Sequence, residues 1–376
     1  MDLLTLLIVL LVVGSRLLVP LLIPKYPLPA IIACLIIDAA DQTIFQKFTD
    51  LELTGYQSYD KALDIYYLSV AYLSTYRNWT NQVAFQISQF LFYYRMFGLV
   101  LFETTQIRAI LFIFPNTFEY FFIFISAVAL FWKMERLKKK FLILSAAFIW
   151  IFIKLPQEYW LHIAQLDTTD LIKEKILGVP ADTAWSVAIS QNLWVFPVIG
   201  IIVAVLAFII YKIIKMLPKQ DYSLQVSPVL KEKVKFAKPS NSFLTDLREG
   251  QNHFIEKIIF TALLVIIFAH VFPSFGGSSI EVALGASFIV IVNAAIGHAL
   301  IKSTRFKIDI FNSFVTMFVI NVLVAVFYSK FIIGAGEINI FILSFFAYTI
   351  TLITVLHDRF KPYYLSRFGK KMRINL

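Results

Sequence analysis

QNLWVFPVIGIIVAVLAFIIYKIIK, residues 191–215, decides the fold class. It carries no charged side chain before Lys212 and matches the roughly 20 apolar residues that a helix needs to cross hydrocarbon. Lipid offers backbone N–H and C=O groups no partner, so a run of this kind must satisfy them within a helix. Similar runs lie at 83–103, 109–132, 254–275, 279–301, 309–330 and 338–357, with shorter ones at 2–23, 61–76 and 141–154. The stretch 28–45 spans only if its helix carries Asp38 and Asp41 into the membrane. An all-α, polytopic integral membrane protein of roughly ten or eleven transmembrane helices is expected.

The bulk composition agrees. Of 376 residues, 59% are hydrophobic and 15% charged, where a soluble domain carries about a quarter charged. The short alternating segments of a transmembrane β-barrel are absent. The net charge of +10 does not point to nucleic acid, because the basic residues gather in short loops between apolar runs, as topology signals do. Residues 1–23 carry Asp2 and no early Lys or Arg, so they read as a retained span, not a cleaved signal. The single cysteine, Cys34, excludes an internal disulfide.

Those basic loops set an orientation. Lys133, Arg136, Lys138, Lys139 and Lys140 mark one cytoplasmic loop, and residues 216–252 a second. Lys302, Arg305 and Lys307 mark a third, and the tail from Arg359 to Arg373 a fourth. The expected organisation is a polar transmembrane half (1–215), a basic cytoplasmic linker (216–252), a second half of four helices (253–357) and a basic cytoplasmic tail (358–376). The chain is then multi-pass in the cytoplasmic (inner) membrane, with its carboxy terminus cytoplasmic.

Against this apolar background, four aspartates stand out. Asp38 and Asp41 are three residues apart, Asp60 and Asp64 four, so each pair presents both carboxylates on one helix face. A carboxylate in hydrocarbon costs several kcal/mol, about 3 or more, unless it has a partner or a purpose. Convergent carboxylates suit a hard divalent cation, here Mg²⁺ or Mn²⁺, with Asp38, Asp41, Asp60 and Asp64 as ligands. The alternative is an internal network in which they pair with Lys61, Arg77, Arg95 or Arg108 and fix helix packing.

The run Leu35-Ile-Ile-Asp-Ala-Ala-Asp-Gln-Thr-Ile-Phe-Gln-Lys, followed by Gly55-Tyr-Gln-Ser-Tyr-Asp-Lys-Ala-Leu-Asp64, resembles the acidic motif of the CDP-alcohol phosphatidyltransferases. That motif reads Asp-x2-Asp-Gly-x2-Ala-Arg-x8-Gly-x3-Asp-x3-Asp. The resemblance implies Asp38, Asp41 and Asp60 as metal ligands, and Asp64 as a ligand or as the base that activates an acceptor alcohol. Gln42 stands where the family has glycine, Phe45-Gln46 where it has Ala-Arg, and one extra residue separates Gly55 from Asp60. Those are the elements expected to hold a cytidine diphosphate. The family works at the cytoplasmic face, whereas counting spans puts these aspartates outside.

Other polar residues gather on the same side. Arg95 sits mid-span and suits either carboxylate or phosphate. Pro115-Asn116 should break its helix, leaving Glu103, Arg108, Asn116 and Glu119 around a polar cavity or at a simple kink. In the loop 155–190, His162 beside Glu158 reads as an acid–base group and Asp167 and Asp170 as further metal ligands, or the whole segment as an amphipathic interfacial helix. The other histidines make no zinc spacing.

Three readings follow. The first is a divalent-metal-dependent transferase acting on a lipid-linked or phosphorylated substrate, with Asp64, Arg95, Arg108 and Glu119 as catalytic residues and membrane lipid as partner. The second is a proton- or cation-coupled transporter or flippase. The third is a non-catalytic subunit of a membrane complex, in which the aspartates serve assembly.

Overall fold

The computed structural model of the chain describes residues 3–49, 56–164, 171–181, 183–216, 218–221, 224–228, 251–271, 278–303, 310–333 and 340–372. Gly55, Asp167, Asp170, Arg305, Lys307, Arg373 and most of the 216–252 linker lie outside them. Every regular element among the described residues is helical.

The amino-terminal half begins with α1 (Leu3–Leu18), α2 (Pro27–Phe48), α3 (Tyr56–Asn78) and α4 (Gln82–Thr105). It continues with α5 (Ala109–Ile113), α6 (Thr117–Ala129), α7 (Lys139–Phe148) and α8 (Leu155–Glu158). Then come α9 (Trp185–Gln191), α10 (Val195–Met216), α11 (Gln251–Val271), α12 (Ser279–Ser303), α13 (Ile310–Phe327) and α14 (Ile340–Met372).

Five helical stretches are long and apolar enough to cross a membrane: Leu3–Leu22, Pro27–Phe48, Ala109–Ala129, Lys139–Ile163 and Phe314–Phe331. A sixth arises if α9 and the start of α10, bent by 92°, count as one span. That bend falls inside the run 191–215, so the straight helix starts at Val195 and not at Gln191. Whole outer faces are apolar and exposed, as at Leu3, Leu7 and Leu10 of α1 and Phe148 and Phe152 after the basic loop. Such faces fit an integral membrane protein.

Local chemistry explains the boundaries. Pro27 sits in the first turn of α2, where its missing N–H costs nothing. The Asn81 side chain caps α4 by accepting from Val83 and Ala84 N–H, and its amide donates to the Met134 and Leu137 carbonyls. Pro115 ends α5 as its sequence predicts. There the Phe114 carbonyl, freed from the helix, accepts from Arg95 at 2.9 Å. From Lys139 the helix runs on to Ile163 through π-helical turns on either side of α8, so Glu158 and His162 stand on one continuous rod.

The helix that organises the rest is α3, which is too polar to pass as an apolar span. Ile65, Tyr66, Leu68, Val70, Ala71, Tyr72 and Leu73 are each at most 1% exposed. It packs on α2 and α4 from its own half and on α11 and α14 from the other. One hydrophobic cluster accordingly runs from Ile23 to Phe368 and joins the two halves.

Candidate functional site

Helix spacing brings the carboxylates to one face in pairs, and packing brings the pairs together. Asp38 and Asp41 descend from α2, Asp60 and Asp64 from the first turns of α3, and the four meet around one guanidinium. That guanidinium is Arg16 of α1. Its Nη1 donates to Asp41 and to Asp60 (2.9 Å), and its Nη2 to Asp38 and to Asp64 (2.9 Å). Arg16 sits in an otherwise apolar helix and is 4% exposed.

Two kinds of carboxylate result. The Asp41 side chain has no exposure, and its second oxygen accepts from the Tyr56 hydroxyl. Those of Asp38, Asp60 and Asp64 remain 25%, 32% and 26% exposed. Asp38, Asp60 and Asp64 can each offer one oxygen such that all three lie within 4.8 Å of one another. Four carboxylates about one guanidinium carry an excess of negative charge when ionised. An all-oxygen donor set of that charge suits Mg²⁺ or Mn²⁺ and not a soft or thiolate-seeking metal.

The surroundings hold the cluster in shape. Tyr66 of α3 donates to the Leu17 carbonyl, next to Arg16, at 2.9 Å. Arg77 and Asn78, at the far end of α3, both donate to the Pro24 carbonyl between α1 and α2. The Tyr59 ring lies 5.9 Å from the Arg16 guanidinium carbon and stacks in a tilted group with Tyr56 and Phe45. An aromatic wall thus stands beside the charges.

No protein-family model, curated protein or solved structure matches the chain. The site is therefore argued from its own chemistry.

The remaining residues singled out from the sequence take other places. Arg95 is buried on the Phe114 carbonyl, Arg108 is exposed at the start of α5, and Lys61 lies over the Phe102 ring, 4.5 Å from its centroid. None of them, nor Arg77, forms an ion pair with the four aspartates. Glu119 is buried one helix away, accepting from the Tyr67 hydroxyl and from the Asn116 amide (3.1 Å). Asn116 N–H donates in turn to Glu158, which also takes His162 at 3.0 Å and Lys154 at 3.3 Å. Glu119 and Glu158 thus form a second polar centre, tied to the first through α3, because Tyr67 is one turn beyond Asp64.

Sequence reasoning missed Arg16, Tyr56 and Tyr59. A signal for Arg16 existed: an isolated arginine inside an apolar run is as costly as an isolated aspartate and needs a partner as much. At the other end of α3 lies a third centre. Glu256 of α11 accepts from Tyr72 (2.7 Å), Tyr76, Gln89 (2.9 Å) and Lys361 (2.9 Å). Burial lowers the Lys361 ammonium from its ordinary pKa, and the Glu256 carboxylate opposes that shift. Between this centre and the aspartates the interior is closed by aromatic packing, with Tyr72 stacked on Phe92 at 4.4 Å and edge-on to Phe118 and Phe260.

Proposed function

We propose that Asp38, Asp60 and Asp64 form a divalent-cation site, for Mg²⁺ or Mn²⁺, that serves phosphoryl or glycosyl transfer on a lipid-linked substrate. The observation that carries this reading is the approach of their oxygens to within 4.8 Å, from two helices, at partly exposed positions. When bound, the cation neutralises charge on a phosphate or diphosphate leaving group. Asp41, locked between Arg16 and Tyr56, is the support of the site. Arg16 commits its four terminal N–H groups to the carboxylates and so acts as their fixed counter-charge, while the phosphate-gripping role that the sequence suggested for Arg95 and Arg108 falls to the cation itself. Asp64 is the base for the acceptor hydroxyl, and Glu119 acts through Tyr67 as a positioning residue.

The arrangement sits in a chain of roughly ten or eleven spans in the cytoplasmic membrane, carboxy terminus inside and aspartates at the outer face. An outer site favours a polyprenyl-phosphate or phospholipid donor over a nucleotide, which separates this reading from the CDP-alcohol phosphatidyltransferases whose motif the aspartates resemble. The transporter reading needs polar groups strung along an open path, and the aromatic packing about Tyr72 speaks against one.

A structural reading has its own support, because Arg16 pairs with all four carboxylates. Such a knot could serve assembly alone. Manganese binding to the purified full chain, followed by the electron paramagnetic resonance of free Mn²⁺, separates the two. The transfer reading expects saturable binding, displaced by Mg²⁺ and lost in Asp60→Asn and Asp64→Asn proteins that keep their helical spectrum. Wild-type protein that leaves the Mn²⁺ free overturns it in favour of the structural role. A transfer assay with lipid-linked donors follows from binding.

A further inference from the structure

Away from the aspartates, a long groove of about 780 Å³ opens between α6 and the helical rod Lys139–Ile163. Its walls are Ile123 and Phe124 on one side and Phe141, Leu144, Phe148 and Phe152 on the other. Phe141, Leu144, Phe148 and Phe152 are 45–67% exposed, on a helix apolar enough to lie in the membrane. From Phe141 to Ile153 the groove runs about 18 Å along the helix, near the length of an acyl chain. Its open side therefore faces hydrocarbon.

What distinguishes the groove from an ordinary lipid-facing surface is the charge at one end. Lys138, Lys139 and Lys140 lead directly into Phe141 and are all exposed, with Lys133 exposed in the same loop. Arg136 is held by Asp221, and Glu135 is the one acidic side chain within the loop. No ion pair to Lys138, Lys139 or Lys140 occurs among the described residues. An apolar furrow ending in a lysine triplet is complementary to one class of ligand, a lipid with alkyl chains and an anionic head.

We propose that this groove binds an anionic phospholipid, its acyl chain along Phe141–Ile153 and its phosphate among Lys138, Lys139 and Lys140. The site is independent of the aspartate cluster. Lys154, at the far end, lies over the Tyr120 ring and pairs with Glu158, so the anionic head belongs at the triplet end.

Native mass spectrometry of the delipidated full chain, titrated with phosphatidylglycerol or phosphatidylcholine of the same acyl length, tests this. Wild-type protein should retain phosphatidylglycerol at about tenfold lower concentration than phosphatidylcholine. Replacing all three lysines by glutamine touches only exposed side chains and should erase that preference. Ala147→Trp, which fills the groove, should weaken retention of both lipids. Equal retention of the two lipids by wild-type protein, or an unchanged preference in the glutamine variant, would overturn the proposal.

Discussion

Arg16 and Asp41, 25 positions apart in the chain, form the innermost ion pair of the molecule's acidic cluster: Arg16 is 4% exposed and the Asp41 carboxylate fully buried. Three further carboxylates share the same guanidinium at its more open side. Removing Arg16 leaves Asp41 with Tyr56 alone and brings four carboxylates together without a cation. Arg16→Met should cost about 3–5 kcal/mol, read as a lowered unfolding temperature in detergent. Arg16→Lys should fall between, because an ammonium cannot fork across four carboxylates.

The two kinds of carboxylate should separate experimentally. Asp41→Asn keeps the shape but weakens a buried charged pair, so it should reduce stability by about 1.5–3 kcal/mol. Asp60→Asn, at a 32% exposed position, should change stability by less than about 1 kcal/mol while removing Mn²⁺ binding. Equal destabilisation by both, with cation binding unaffected by either, would contradict the division of roles.

Gly98 of α4 faces the broken helix at close range. A Cβ there would stand 2.1 Å from Phe114 Cβ and 2.5 Å from its Cγ. Gly98→Ala should therefore shift the backbone that presents the Phe114 carbonyl to Arg95, costing about 1–3 kcal/mol. Because the nearest atom is the Phe114 Cβ, Phe114→Gly should relieve the clash and Phe114→Ala should not. A double-mutant cycle on unfolding temperatures reads the coupling directly.

Glu256 joins the two halves of the chain. It collects Tyr72, Tyr76 and Gln89 from the amino-terminal half and Lys361 from α14. Glu256→Ala leaves a buried ammonium without its carboxylate and should cost about 3–5 kcal/mol. Lys361→Met with Glu256→Gln should recover much of that loss. Limited proteolysis within 216–252, followed by a test of whether the fragments stay associated, reports the same coupling.

Sidedness is checked by cysteine labelling in intact cells in a Cys34→Ser background. The proposed topology expects Asp50→Cys to react with an impermeant maleimide and Glu135→Cys to react only after permeabilisation. Reaction at position 135 and not at 50 would reverse the orientation and return the aspartates to the cytoplasmic face.

Much of the fold was legible because its signals are local. Apolar runs of membrane length, the break at Pro115 and the helical placing of Asp38 with Asp41 depend on residues within a few turns. The span at 28–45, ambiguous by length, resolves into one 22-residue helix that does carry both aspartates. The role of α3 was harder to read. Its Asp, Lys and Tyr content looks like a weak span, yet it is deeply buried because neighbouring helices supply partners for Asp60, Asp64, Tyr66, Tyr67, Tyr72 and Tyr76, while Ser69, Ser74 and Thr75 bond back to carbonyls of α3 itself.

By itself, the sequence determined the helical class, the membrane character of five or six of the expected segments and the pairing of aspartates on two helix faces, since hydrocarbon thickness and helical periodicity act along the chain. Only the tertiary structure decided that both pairs meet and that Arg16, not Arg95 or Arg108, meets them. Arg16 lies 44 residues from Asp60 and 48 from Asp64. Which guanidinium reaches a buried carboxylate depends on how α1, α2 and α3 pack, and no local pattern of residues encodes that choice.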